Sequence, residues 1–183
     1  MAEFSKTAQY AGLTDLPPLV VRAVALAHEQ GFIACCFPEQ GRLLQVLARG
    51  RAGGVIVKAG TGCGAGLAWM ASAVGPDTRL VSVERDAGRA AACQALFAGL
   101  ANVTVLHGDW RLIERYAPFD LLVLDGGGGA KRGGEAVAPP DSDGRSVTAA
   151  RRHWLEHPAL FATEVRVHPQ VSTIGGTLRA ARP

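Results

Sequence analysis

The stretch of sequence that decides the fold is Val55-Ile56-Val57-Lys58-Ala59-Gly60-Thr61-Gly62-Cys63-Gly64-Ala65-Gly66. Its β-branched apolar run predicts a buried strand, and the Ala-rich residues after the glycines predict a helix. Glycines between a strand and a helix allow a tight turn, in which a ligand can lie against bare backbone at the helix N-terminus. We therefore expect a strand, a binding loop and a helix in succession.

The sequence after this unit repeats the same alternation of strand and helix. Apolar runs predict strands at Val55 to Lys58, Leu80 to Glu84, Val103 to His107 and Leu121 to Leu124. Helical patterns lie between them, at Leu67 to Ala73, Ala87 to Leu100 and Trp110 to Tyr116. Short buried runs that alternate with helices are typical of parallel strands joined by right-handed crossovers. The prediction is an α/β fold with a Rossmann-like, doubly wound and mostly parallel sheet.

The two ends of the chain differ from this central pattern. Residues 1–52 contain two helix starts, at Pro17-Pro18 and at Pro38, and residues 126–146 are rich in Gly and Pro. Helical periodicity around Val147 to Phe161 precedes two strand-like runs, which the turn at Pro169-Gln170 joins into a C-terminal antiparallel hairpin. We expect a single domain: N-terminal helices 1–52, a binding half 53–125, a loop 126–146, and a helix with the hairpin at 147–183.

Composition excludes several classes of protein. The chain has 183 residues, 48% of them hydrophobic, which is enough for a core of its own. The formal net charge of +3 is scattered rather than clustered, so no nucleic acid partner is expected, and no apolar run is long enough to span a membrane. Four irregularly spaced cysteines, and no apolar stretch in the first ten residues, predict a cytoplasmic protein without a disulfide framework.

Acidic residues stand at the ends of three of the predicted strands. Glu84 lies about twenty residues after the glycine loop, where a carboxylate can accept hydrogen bonds from both hydroxyls of a ribose. Asp109 can accept one from an exocyclic amine such as adenine N6, with Arg85 or Trp110 against the ring, although it could instead cap the next turn. Asp125 would lie near the reactive end of the ligand, or could merely anchor the glycines that follow it. The glycine loop, Glu84 and Asp109 stand at three strand ends in register, and together they predict one nucleoside site.

The glycine spacing alone leaves the ligand open. Gly60, Gly62 and Ala65 satisfy the dinucleotide pattern G-x-G-x-x-G/A, whereas Gly60, Gly62 and Gly64 satisfy the tighter G-x-G-x-G. A small nicotinamide oxidoreductase therefore stays open as an alternative. However, no Tyr-x-x-x-Lys pair accompanies the glycines.

Together the motifs resemble the class I S-adenosylmethionine-dependent methyltransferases, and among them the small O-methyltransferases related to catechol and caffeoyl-CoA methyltransferases. The resemblance covers Phe37 to Asp125, and more loosely Trp154 to Leu178. It rests on Pro38 to Leu44, Gly60 to Gly64, Val83-Glu84-Arg85-Asp86, Gly108-Asp109-Trp110 and Leu122 to Asp125.

The resemblance implies a cofactor, S-adenosyl-L-methionine (SAM), and methyl transfer to a hydroxyl of a small-molecule acceptor. By residue, it implies cofactor binding by Gly60, Thr61, Gly62, Gly64, Glu84, Arg85, Asp109 and Trp110. It also implies that Asp125 is the catalytic residue, near the site of methyl transfer.

The sequence departs from the family pattern in two places. Lys58 stands where the family usually has an acid that meets the ammonium group of the methyl donor. Residues 126–146 lack the family's fifth strand, so no metal site is expected around Asp125. A non-catalytic relative that binds SAM or S-adenosylhomocysteine therefore stays open as a second alternative. The edge of the hairpin and the N-terminal helices make a homodimer a further expectation.

Overall fold

The computed structural model describes residues 5–124, 155–158, 160–169 and 171–178 of the chain. The chain divides into two compact units, Met1–Gly126 and Gly127–Pro183, and each is described by itself. The single domain that the sequence suggests stays a prediction.

A sheet of four parallel strands forms the centre of the first unit. The strands are β1 (Val55–Ala59), β2 (Arg79–Glu84), β3 (Val103–His107) and β4 (Leu121–Leu124), in the order β3-β2-β1-β4. All four predicted strands are confirmed, with bounds that agree within one residue. Because β2 and β4 lie on opposite sides of β1, the strand order reverses at β1, and ligands bind at such a point in open α/β sheets.

Four α-helices of the first unit have clear causes in the sequence. They are α1 (Pro18–Glu29), α2 (Pro38–Arg49), α3 (Ala65–Ala71) and α4 (Ala87–Phe97). Proline stands at the first position of α1 and of α2, where its fixed φ suits a helix start. The carboxylate of Asp86 caps α4 by accepting a hydrogen bond from the amide of Arg89 at 2.9 Å.

The core lies between the sheet and these helices. Val57, Leu80 and Val81 of the strands are fully buried, as are Leu67 and Met70 of α3. Helix α3 packs against both α1 and α2, and α4 packs against β2 and β3. Apolar burial on both faces of the strands explains why they appear in the sequence as continuous apolar runs.

Short 3-10 helices account for one difference from the expected pattern. Thr7–Tyr10 forms one, and Trp110–Tyr116, which was expected to be an α-helical segment, forms another. The second begins at Asp109, whose side chain caps it, and the strand β4 follows after only four residues. The connection between β3 and β4 therefore contains a 3-10 helix in place of the expected α-helical segment.

The second unit contains the expected hairpin. Strands β5 (Leu160–His168) and β6 (Val171–Leu178) pair antiparallel, with a register shift between Arg166 and His168. Leu160 and Phe161 belong to β5, so the prediction of a helix as far as Phe161 is wrong at its end. Residues 147–154 of that predicted helix and the loop 126–146 lie outside the described residues. The Rossmann-like fold with a C-terminal hairpin is confirmed.

Candidate functional site

The glycine loop follows β1 directly and is attached to the end of β2. The amides of Gly60 and Thr61 both donate to the carbonyl of Val83, at 3.0 and 3.1 Å. The backbone has positive φ at Gly60 (87°), Gly62 (59°) and Gly64 (90°), a region that glycine enters without strain. The loop therefore has a fixed path that only glycines allow.

Side-chain packing adds a second reason for two of these glycines. An ideal Cβ on Gly62 would lie 3.0 Å from the ring of Phe32, and one on Gly64 would lie 2.9 Å from the ring of Phe97. The side chain of Thr61 is buried and shares a 2.6 Å hydrogen bond with the hydroxyl of Ser82. Thr61 was predicted to bind the cofactor, and in this structure its hydroxyl fastens the loop to β2.

The side chain of Glu84, at the end of β2, fixes the glycine loop in place. Its Oε2 accepts a hydrogen bond from the amide of Gly62 at 2.8 Å, and its Oε1 accepts one from the amide of Asp86 at 3.0 Å. A guanidinium N–H of Arg89 donates to the same Oε1 at 3.1 Å. Glu84 is buried, with 7% of its surface exposed. The three groups that donate to its carboxylate use most of the hydrogen bonds that the two oxygens can accept.

Asp109 lies at the neighbouring strand end. In the parallel register Glu84 pairs with His107, and the amide of Gly108 donates to the Glu84 carbonyl at 2.8 Å. The ends of β2 and β3 thus bring the Glu84 and Asp109 segments together at one sheet edge. Oδ1 of Asp109 accepts hydrogen bonds from the amide and the guanidinium of Arg111, so the alternative that Asp109 caps a turn is correct for this oxygen.

The two residues expected beside an adenine ring are both accessible. Trp110 is half-buried and has the guanidinium of Arg111 5.0 Å from the centre of its ring. Arg85 is exposed directly after β2. Neither observation defines a binding site for the adenine ring by itself. Both residues do flank the edge at which the Glu84 and Asp109 segments meet.

Lys58 is buried inside the same region, at 2% exposure. Its ammonium donates to the carbonyl of Gly60, and in the sheet its backbone lies between Ser82 and Val123. The residue that departs from the family pattern thus binds the glycine loop of its own chain. A buried ammonium needs such an acceptor, because an unpaired charge in the interior is costly.

Two thiols line the inner side of the loop. Cys93 Sγ lies 3.3 Å from the carbonyl of Gly62, and Cys63 Sγ lies 3.6 Å from the side-chain oxygen of Gln30. Burial raises the pKa of Cys63 to about 11 and the pKa of Cys93 to about 12. Both groups are therefore protonated at neutral pH and unsuited to nucleophilic chemistry.

The catalytic residue expected from the sequence, Asp125, lies outside the described residues. Within residues 5–124 and the described part of the hairpin, no three His, Cys, Asp or Glu side chains form a group that could hold a metal ion. In the same residues no helix has the length and apolar character needed to cross a membrane.

Sequence reasoning missed Arg89 and Phe32. Arg89 bonds to Glu84, and its guanidinium lies 5.4 Å from the centre of the Phe32 ring, which itself packs on Gly62. The five-residue spacing of Glu84 and Arg89 is not a helical pairing, and Phe32 lies in the connection between α1 and α2. No local pattern in the sequence could have joined them to the site.

Several solved structures similar to this chain are methyltransferases. The O-methyltransferase TomG from Streptomyces achromogenes, in complex with SAM, is 22% identical, with 88% of this chain and 89% of that chain covered and a TM-score of 0.67. An O-methyltransferase from Bacillus cereus is 20% identical, covering 88% and 90%, with a TM-score of 0.66. A methyltransferase from Geobacter sulfurreducens is 23% identical, covering 92% of both chains, with a TM-score of 0.65. The fold is therefore the one that these methyltransferases share.

Comparison with sequence models of protein families identifies the family as well as the fold. The sequence model of the protein-L-isoaspartate(D-aspartate) O-methyltransferase (PCMT) family matches residues 39–131, slightly more than half of the chain. The chain belongs to this family. Search of the curated proteins gives no significant match. The predicted resemblance to O-methyltransferases is thus confirmed, and the nicotinamide and non-catalytic alternatives are not favoured.

Proposed function

We propose that this chain binds SAM at the carboxyl ends of β1, β2 and β3 and transfers its methyl group to an oxygen of an acceptor. The observation that carries the proposal is the buried Glu84 carboxylate, which fixes the glycine loop through the amide of Gly62. A carboxylate offers only acceptors, which suits the hydroxyl donors of a ribose. Relatives in complex with SAM or SAH support the same cofactor.

The acceptors at this edge suit the uncharged nucleoside part of SAM. SAM contains no phosphate, and the described edge presents the carboxylates of Glu84 and Asp109, each of which is paired with one arginine. In the proposal Glu84 binds the ribose, and Asp109 binds the adenine amine through its remaining acceptor capacity. Arg85 and Trp110 contact the ring. The amino-acid part of the cofactor lies along the loop formed by Gly60, Thr61, Gly62 and Gly64.

Catalysis in this proposal is mainly positioning. When bound, SAM supplies a methyl group that its sulfonium already activates. The chain's own contribution is to hold the acceptor oxygen in line with that group, which by itself can supply much of the rate enhancement. We assign Asp125 to the orientation of the acceptor and to removal of its proton, since an oxygen nucleophile reacts faster when deprotonated.

We propose a small-molecule hydroxyl as the acceptor. The O-methyltransferases from Streptomyces and Bacillus match along nearly the full length of both chains, and TomG is involved in tomaymycin synthesis. A second candidate is the carboxylate of an isoaspartyl residue, because the family description specifies protein-L-isoaspartate. Since the family match ends at residue 131, it covers the cofactor half of the chain far more than the C-terminal part.

A methyl-transfer assay tests the function and separates the two acceptors. SAM labelled in its methyl group would be incubated with a panel of catechols and other phenols, and separately with an isoaspartyl peptide and its aspartyl counterpart. We expect label in the phenols, and expect Asp125→Asn to lower turnover with little change in the affinity for S-adenosylhomocysteine. Label in the isoaspartyl peptide alone would transfer the proposal to the second candidate.

Calorimetry tests the cofactor independently of the acceptor. S-adenosylhomocysteine should bind with a stoichiometry of one per chain, whereas NADH should not bind. Binding of NADH alone would overturn the proposal.

The cellular setting of this activity is also part of the proposal. All four cysteines are buried and form no disulfide, which suits a reducing compartment, and we infer a cytoplasmic enzyme without nucleic acid or membrane partners. We also propose that the chain forms a single domain and assembles as a homodimer.

A further inference from the structure

Arg89 binds the carboxylate of Glu84, to which the ribose of the cofactor is assigned in the proposed function. Its Nη2 lies 3.1 Å from Oε1 of Glu84, and its Nη1 lies 3.8 Å from Oδ2 of Asp86. The side chain of Glu84 is 8% exposed and that of Arg89 is 33% exposed, so this ion pair stands at the boundary between interior and solvent. It is therefore stronger than a fully exposed pair but can still be displaced.

Phe32 fixes the position of Arg89 from another part of the chain. Its ring centre lies 5.4 Å from the guanidinium, and the same ring lies 3.0 Å from an ideal Cβ on Gly62. The amide of Phe32 donates to the carbonyl of Ala27 at 2.8 Å, which ties this residue to the end of α1. Arg89 and Phe32 thus cover Glu84 and the glycine loop together.

The number of acceptor sites on Glu84 decides what a ribose can do there. A carboxylate offers about four lone-pair sites. Three are used in this structure, by the amides of Gly62 and Asp86 and by the guanidinium of Arg89. A ribose with two hydroxyl donors needs two sites, and only one is left. Both hydroxyls can bind only after Arg89 has released Oε1.

Arg89 is also incompletely satisfied where it lies. Its Nε atom is buried and has no hydrogen-bond partner within the described residues. A buried donor without a partner costs free energy, so the observed arrangement holds Arg89 less firmly than a fully paired guanidinium would be held. Displacement by a ligand is correspondingly easier.

We propose that Arg89 selectively weakens binding of the ribose diol, because it competes with the diol for Oε1 of Glu84. The inference rests on the proposed function, because it takes the ligand to be a nucleoside with free ribose hydroxyls. It acts through Glu84, so Arg89 is a positioning residue. A nucleoside without the diol gains nothing from the release of Arg89, whereas one with the diol recovers a second hydrogen bond.

The test measures two ligands on variants of the full chain. S-adenosylhomocysteine and its 2′,3′-dideoxy analogue would be titrated calorimetrically into the unaltered protein and into Arg89→Ala. A second variant, Arg89→Met, keeps an unbranched side chain that reaches about as far as Nε but has no donors and no guanidinium over Phe32. Arg49→Ala removes the same charge from the last turn of α2 and serves as the matched control.

We expect both uncharged variants to bind S-adenosylhomocysteine about fivefold more tightly, the equivalent of ~1 kcal/mol for a partly exposed ion pair. Affinity for the dideoxy analogue should be unchanged within about twofold, and Arg49→Ala should match the unaltered protein. A merely structural role of Arg89 would affect both ligands alike.

Three results would overturn the inference. Unchanged or weaker binding of S-adenosylhomocysteine in both variants would show that Arg89 does not compete with the diol. Equal tightening of both ligands would show an effect unrelated to the ribose hydroxyls. If the unaltered protein and every variant fail to bind S-adenosylhomocysteine, the proposed function itself fails, and the inference falls with it.

Discussion

Glu84→Gln is the substitution that bears most directly on how the site is held together. The carboxylate accepts hydrogen bonds from two backbone amides, of Gly62 and of Asp86, at 2.8 and 3.0 Å. A glutamine has one acceptor oxygen and one NH₂ group, so whichever way it is turned, its NH₂ faces at least one backbone N–H. At least one buried hydrogen bond is lost, and the ion pair with Arg89 becomes a neutral contact.

The size of the effect follows from these contacts. A hydrogen bond to a charged group contributes about 1.5 to 3 kcal/mol, and the partly exposed ion pair adds at most ~1 kcal/mol. We therefore expect the free energy of unfolding to fall by about 2 to 4 kcal/mol, a large part of the roughly 5 to 15 kcal/mol that a domain possesses. The single oxygen of the glutamine keeps more donors at the Oε1 position, where Asp86 and Arg89 both donate, so the Gly62 amide loses its acceptor and the loop loses its fixed path.

Urea unfolding followed by circular dichroism measures this change, and calorimetry with S-adenosylhomocysteine reports on the loop. Glu114→Gln is the matched control, since Glu114 is an exposed residue of the 3-10 helix Trp110–Tyr116, and it should change stability by less than about 0.5 kcal/mol. A Glu84→Gln protein as stable as the control would refute the claim that this carboxylate organises the glycine loop.

Two further predictions concern stability. Gly41→Ala should destabilise the protein by about 1 to 3 kcal/mol in urea unfolding, because an ideal Cβ at this position of α2 falls within the indole of Trp69. Gly99→Ala is the control, since an ideal Cβ there has open space around it and should not lower stability. Equal stability of the two variants would contradict this packing. The pKa of Cys93 is raised by burial from 9.0 to about 12, so its stabilising contribution is complete below pH 9 and is lost as the pH rises toward 12. Stability should therefore fall between pH 9 and pH 12, less steeply in Cys93→Ala, and an identical slope in that variant would show that the thiol is not responsible.

The sequence predicted the sheet because its signals are local. Each strand is a short apolar run, and the change from Val55 to Gly60 marks the end of β1 without any knowledge of its neighbours. The hairpin was predictable for a similar reason, since Pro169 lies between two runs of strand-forming residues. The 3-10 helix after Asp109 was predicted as an α-helical segment, because its apolar spacing is compatible with both.

The direction of individual side chains could not be predicted in the same way. Thr61 has the right position for a cofactor contact, yet its hydroxyl turns inward to Ser82, a residue 21 positions away. The engagement of Glu84 by Arg89 depends on how α4 begins, and the contact of Phe32 with Gly62 depends on the path between α1 and α2. Contacts of this kind arise from tertiary packing, which strand and helix periodicity do not encode.

An NMR titration of the ¹⁵N-labelled chain with S-adenosylhomocysteine tests the central claim most directly. The amides of Gly62, Asp86 and Arg111 report on the glycine loop, on Glu84 and on Asp109, because each donates to a carboxylate of the site. We predict that all three signals shift together and give one dissociation constant. Shifts of Gly62 and Asp86 while Arg111 stays unchanged at saturation would contradict a nucleoside site shared by the three strand ends.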